Sequence, residues 1–180
     1  TGGKFLMQTN RKKTQWRVYK PNRSNTGAAS RLEMKTVESE KVGANGPFKI
    51  RDVQLFWVAS PQTGTDNNGN AKFSWSEKDD SKSITLKLGE ADIGEILAVL
   101  NNEKEEAGQT GGKFSGIYHQ NAKGSTTFGF KKAEGKGYYI RLAKKPKSGS
   151  LSEVKHTLSF AEAQILKVLL QQAVIEKYQW

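Results

Sequence analysis

The chain of 180 residues carries 29 Lys and Arg against 18 Asp and Glu, a formal net charge of +11, and contains no cysteine. Those counts exclude a disulfide framework, a zinc–thiolate or iron–sulfur site and a cysteine nucleophile. With 35% hydrophobic residues the chain can build a packed core, yet no apolar run approaches the ~20 residues of a membrane helix.

Alternation predicts a strand at 15–20 and a second at 30–37, where Leu32 and Met34 face one way and Arg31, Glu33 and Lys35 the other. A polar loop lies between them at 21–27, and Gly43, Gly46 and Pro47 mark another at 38–49. Residues 51–59 read as the most apolar strand, with Phe56 and Trp57 expected in the core. A hairpin tip rich in Asn and Gly follows at 61–70. A fourth strand is expected from about Lys72 to Leu88, bent near Asp79 and Asp80. The period then changes: Ile93, Ile96, Leu97 and Leu100 lie at helical spacing, with Glu90, Asp92 and Glu95 in the first turns, and the helix is expected to end at Asn101-Asn102 before a loop at 108–112.

The order repeats. Strands are expected at 113–119, 125–132, 137–144 and 151–158, with Phe128 and Phe130 in the core. A helix follows from Phe160, with Ser159 and Glu162 forming a capping box at its start. The expected fold is therefore α+β: two four-stranded antiparallel sheets with two helices, ββββα repeated twice. The chain reads as one domain, 1–180, with pseudo-repeats of about 1–109 and 110–180 and a flexible segment at 1–14. Thr1–Phe5 recurs as Thr110–Phe114. The last helix is apolar around most of its circumference, interrupted by Gln164, Lys167 and Gln171. It is expected to pack on its own sheets and also against other subunits, the alternative being full cover within one chain.

Charge is sorted by element. Residues 1–36 carry +8 and residues 121–147 carry +7, whereas the segments read as helical, 89–106 and 158–180, carry eight acids and three lysines, net −5. The remainder of the chain therefore carries +16. A basic sheet is a platform for a phosphate backbone, whereas a basic amphipathic helix, the usual route to a membrane surface, is absent. Catalytic patterns are also absent. His119 and His156 show no ligand spacing, no metal or cofactor is implied, and Asp79 and Asp80 alternate across a strand rather than pairing. An enzyme is the weakest class.

Arg17, Arg31, Lys35, Lys131 and Arg141 lie on the polar sides of their strands and are the leading candidates for phosphate contacts. Lys20, Lys72, Lys87, Lys113, Lys123 and Lys144 extend the set. Tyr139 shares a face with Arg141 and is placed either to stack a base or to fill a core or interface.

Several segments together resemble the Whirly family of single-strand nucleic-acid-binding proteins. Val53–Ala59 is similar to the family's apolar third strand. Lys72–Lys78, with Phe73-Ser-Trp75 within it, and then Ile84–Leu97 are similar to its Tyr-x-Trp strand running into the first helix. Gly135–Leu142 is similar to its Gly-x-Gly-Tyr-Phe strand, and Phe160–Trp180 to its closing helix and final Trp. The Lys-Gly-Lys-Ala-Ala-Leu-Ser string of plant members has its nearest counterpart in Gly27–Ser30, without the paired lysines. The better resemblance is to the kinetoplastid mitochondrial guide-RNA-binding proteins.

That resemblance implies a Whirly-like fold and a heterotetramer of two related chains. It also implies RNA held on the sheets by phosphate contacts with its bases left open, so that guide RNA anneals to mRNA during mitochondrial RNA editing. Mitochondrial localisation is implied by resemblance alone, since no targeting segment is visible. Two alternatives stand beside this reading: a single-stranded DNA-binding factor of the same fold, and a structural subunit of a ribonucleoprotein.

Overall fold

The structure, a computed structural model, describes residues 10–75, 83–109 and 115–178, without the side chains of 10–13 and 41–42. Its elements are β1 (Asn10–Lys20), β2 (Ala28–Gly43), β3 (Gly46–Thr65), β4 (Ala71–Phe73), β5 (Ile84–Leu88), α1 (Glu90–Leu100), β6 (Ile117–Asn121), β7 (Gly124–Ala133), β8 (Gly137–Pro146), β9 (Ser152–Leu158) and α2 (Phe160–Tyr178). β1, β2 and β3 are antiparallel neighbours, and β4 and β5 share the fourth position along the far edge of β3. β6, β7, β8 and β9 form the second antiparallel sheet in chain order. Four strand positions and a helix, twice, is the order expected from the sequence, with the fourth position of the first sheet split between β4 and β5.

Several boundaries differ. The loop expected at 38–49 is strand on both sides of a tight turn, since β2 runs to Gly43 and β3 starts at Gly46, paired through that turn. β1 begins at Asn10, so residues 10–14 of the segment expected to be flexible are strand. The expected fourth strand is two, because β3 is 20 residues long and pairs β5 over 55–59 and β4 over 62–65, with a register shift between Gln62 and Gly64. The bend assigned to Asp79 and Asp80 lies outside the described residues, as does the repeat of Thr1–Phe5 at Thr110–Phe114. Finally, α1 stops at Leu100 with Asn101 as its cap, the end expected at Asn101-Asn102, so residues 103–106 of the segment counted as helical for its charge lie beyond it. Asn102 adopts left-handed backbone, φ 65°, and the chain turns back so that Glu105 and Ala107 bond β7.

One core joins the two sheets. Trp57, fully buried on β3, meets Phe128 of β7 with ring centroids 5.2 Å apart. Phe128, Phe130 and Tyr138 then stack in series across β7 and β8. The expected core residues Trp57, Phe128 and Phe130 are all there; Phe56 is not, since it faces the other side of β3 and is half-buried. A polar relay crosses the same junction. The Trp57 indole N–H donates to Ser30 Oγ at 3.1 Å, and Ser30 Oγ lies 2.6 Å from His156 Nε2 on β9.

The helices close the core. At α1, the Asp92 carboxylate accepts from the Gly89 N–H, 2.7 Å. At α2, Ser159 Oγ accepts from the Glu162 N–H and the Glu162 carboxylate from the Ser159 N–H, the reciprocal cap read from the sequence. Ala163, Leu166, Leu170 and Ala173 turn one face of α2 inward. Gly137 is required where β8 begins: its φ is +98° and a Cβ would lie 2.1 Å from the Leu158 carbonyl oxygen.

Candidate nucleic-acid interface

Each sheet has one face on the core and one turned away from it. The register fixes which cations share the outward faces. On the first sheet, Arg17, Arg31, Val58 and Thr85 form one cross-strand row, and Gln15, Glu33, Phe56 and Lys87 the next. Arg17 and Lys87 are exposed, and Lys35 reaches over the Phe56 ring with its Nζ 4.6 Å from the centroid. Tyr19 lies at the end of this face, 45% exposed, with Arg17 Nη1 donating to its hydroxyl at 3.4 Å.

Across the small, fully buried side chains of Ala29 and Ser60, Tyr19 meets two aromatic rings from the far edge. Its centroid lies 5.5 Å from that of Phe73 and 6.3 Å from that of Trp75. Small residues on the central strands make the floor; aromatics from both edges lean across it. Half-buried rings flanked by cations are what a stacked base and its phosphate require.

The second sheet presents a smaller version. Lys131 Nζ lies 5.6 Å over the Tyr139 ring, its cross-strand partner on β8. Arg141 and Lys155, partners across β8 and β9, both bond Glu153. Burial pushes the Glu153 carboxyl up, but the hydrogen bonds from Lys155 and Arg141 outweigh it and hold it below its ordinary value. The same carboxylate raises Lys155, so that ammonium stays charged at neutral pH.

The sequence-derived site residues divide accordingly. Arg17, Lys35, Lys87, Lys131, Tyr139 and Arg141 lie on the outward faces. Lys72 is exposed on β4 beside the hairpin tip, and Lys123 is exposed in the β6–β7 turn. Arg31 takes another role. It points outward, as alternation requires, but is only 6% exposed: it pairs with Glu33 and lies beneath Trp75, 4.9 Å from the ring centroid. A non-local segment covers it, which no local pattern reveals.

Lys20 faces the other way and bonds both Glu162 oxygens at 2.7 Å, tying β1 to the start of α2. Lys144 shares the face of Tyr138, Ile140 and Leu142 and is half-buried. Lys113 lies outside the described residues. The sequence-derived set lacks Tyr19, Phe73, Trp75 and Lys155. The signal for Phe73 and Trp75 was their alternation, but which face they join depends on the turn through Gly64. Among the described residues no group of three or more His, Asp or Glu is arranged to hold a metal, and no helix is long and apolar enough to cross a membrane.

Two antiparallel sheets of four strand positions, each followed by a helix, make a Whirly-like fold. Among solved structures the chain is similar to the plant transcriptional regulator PBF-2, with a TM-score of 0.66 at 14% identity over 99% of this chain and 86% of that one. WHY1 from Arabidopsis thaliana gives 0.63 at 14% identity, over 93% of this chain and 86% of that one. The MRP1/MRP2 structure from Trypanosoma bruciei gives 0.53 at 15% identity, over 92% and 94%. No family model and no curated protein matches the sequence.

Proposed function

We propose that the chain binds single-stranded RNA along the outward faces of its sheets, chiefly through phosphate contacts, and promotes annealing of guide RNA to mRNA in mitochondrial RNA editing. The observation that carries this reading is the alignment of Arg17, Lys35 and Lys87 on one outward face and Lys131, Arg141 and Lys155 on the other. Neutralised phosphates release counterions and give affinity without reading sequence, which suits a protein that must leave pairing edges open. The resemblance to kinetoplastid guide-RNA-binding proteins supplies the choice of polymer, compartment and process.

The partner we infer is a related chain of the same fold in a heterotetramer. α2 supports this. Ala161, Ile165, Val168, Gln172 and Ile175 follow one another at steps of four and three residues, all exposed, opposite the buried Ala163, Leu166, Leu170 and Ala173. The MRP1/MRP2 structure pairs two named chains, which favours a related partner over an unrelated one.

A second reading, a single-stranded DNA-binding factor acting in transcription or DNA maintenance, is favoured by the greater likeness to PBF-2, 0.66 against 0.53. Strand annealing separates the two. The purified protein should accelerate pairing of complementary RNA strands, and do so more than with DNA of matched sequence. Tight binding to DNA with RNA left unpaired would reverse the choice. Binding to neither would remove both readings.

A further inference from the structure

We propose that the cleft between the β1–β2 loop and the β3–β4 hairpin tip is a subsite for a single nucleotide, its base in the cleft and its phosphate on Arg23. The inference rests on the nucleic-acid reading above and adds to it a position where a base is held rather than left open. The cleft has a volume of about 410 Å³, within the ~300–1,000 Å³ of small-molecule sites. Pro21 and Ala71 give it low apolar walls, which suit a flat ring, while Asn22, Thr65 and Asn70 bring polar groups to its edge.

Both walls are fixed without a ligand. On one side, buried Gln62 accepts from the Asn22 N–H at 3.0 Å and donates to the Asn22 carbonyl at 3.2 Å and to Asn25 Oδ1 at 2.8 Å. Gly27 permits that clamp, since a Cβ there would lie 2.4 Å from Gln62 Oε1. On the other side, the Asp66 carboxylate accepts from the N–H groups of Asn68 and Asn70 and from Asn70 Nδ2. Those bonds, that from the Asn70 N–H foremost, hold Asp66 below its ordinary value, with a further contribution from Lys72. Asp66 therefore stays ionised at neutral pH, which leaves Arg23 as the cleft's group for a phosphate. Loops locked by their own hydrogen bonds keep the cleft open and save the ordering cost of binding.

The groups left over suit a nucleotide. Arg23 is exposed at the rim and has no ion partner among the described residues, and Asn70 Oδ1 accepts no bond among them. A guanidinium is the preferred partner of a phosphate, and a free amide oxygen accepts from an exocyclic amine. The cleft also continues the aromatic face: Gln62 is the register partner of Phe73, and Pro21 follows Lys20, one residue beyond Tyr19. A strand stacked on Tyr19 and Phe73 therefore runs into it.

The test is a titration of isotope-labelled protein with the four ribonucleoside monophosphates and with ribose 5-phosphate, followed by backbone amide resonances. Nucleoside monophosphates should move the amides of 21–23 and 65–71, with ribose 5-phosphate binding at least about tenfold more weakly. Arg23→Ala should weaken monophosphates about tenfold while leaving nucleosides unchanged, and Ala71→Phe should abolish both by filling the cleft. Equal binding of ribose 5-phosphate, or no shift at about 10 mM ligand, would overturn the subsite. So would an unchanged response in both variants. Long RNA distinguishes the two levels: a wild type that binds RNA but no mononucleotide loses only the subsite, whereas one that binds no RNA loses the functional reading as well.

Discussion

The imidazole of His156 lies between the two sheets and makes one hydrogen bond at each ring nitrogen. The indole of Trp57 can only donate, so Ser30 Oγ accepts from it and turns its own proton to His156 Nε2. The Thr157 carbonyl can only accept, so Nδ1 carries the proton, 3.2 Å away. The relay is complete with a neutral ring, and burial, the largest influence, lowers His156 from its ordinary 6.5; Lys20 adds to the lowering, while the Thr157 carbonyl and Glu162 oppose it. Below pH 6.5 the unfolded chain takes up a proton that the folded chain refuses, so stability is full above 6.5 and falls as the pH drops toward the folded value. Denaturant midpoints measured between about pH 8 and about pH 5 should fall, and His156→Gln should flatten that fall. Equal pH dependence in the two proteins would contradict it. In the sequence His156 was one of two isolated histidines, and nothing local marked it as a bridge. Arg31 is similar: alternation placed it on the correct face, but the cover supplied by Trp75 comes from more than 40 residues away and is not written in the spacing of β2.

At the scale of elements, α2 shows how a composition becomes two surfaces. Its apolar residues were visible in the sequence, but their division needs the fold: Ala163, Leu166, Leu170 and Ala173 seal the core, while Ile165, Val168 and Ile175 are 50%, 63% and 43% exposed. The sheets were legible because a strand repeats every two residues and turns carry Gly, Asn and Pro. The end of α1 was legible too, at Asn101-Asn102, but the ends of β4 were less so, since a register shift in β3 decides them. If the outer stripe of α2 holds subunits together, a charge in its middle should separate them while the fold stays intact. Val168→Lys should convert an oligomer at micromolar concentration to the 20.0 kDa monomer, with an unchanged circular dichroism spectrum. Leu170→Ala, two residues along and on the inner face, should instead lower stability by about 2–5 kcal/mol. A wild type that sediments as a monomer, or a Val168→Lys variant that stays assembled, would remove α2 from the interface.

Across the whole molecule, the distribution of charge sets what long polyanions can feel. The observed helices carry five acids and two lysines, net −3 rather than −5, because Glu103, Lys104, Glu105 and Glu106 lie beyond the end of α1; the remainder of the chain carries +14. Part of that charge is spent internally: Lys104 on Glu95, Lys132 on Glu105, Lys20 on Glu162 and Arg51 on Glu176. Net charge thus overstates the field available to a strand, and side-chain variants should tell the two populations apart. For single strands each phosphate contact contributes a slope of about −0.7 to log affinity against log salt. Arg17→Ala, Lys87→Ala and Lys131→Ala should each make the slope shallower by roughly that amount and weaken RNA of any sequence alike. Lys20→Ala should leave the slope unchanged and lower the melting temperature, because its ammonium is already bound to a carboxylate that caps α2. The comparison is internal: four basic residues, the same change of charge, and opposite expectations set only by which face of a strand each occupies. An equal loss of slope in all four would mean that the protein's overall field, rather than its sheet faces, holds the strand.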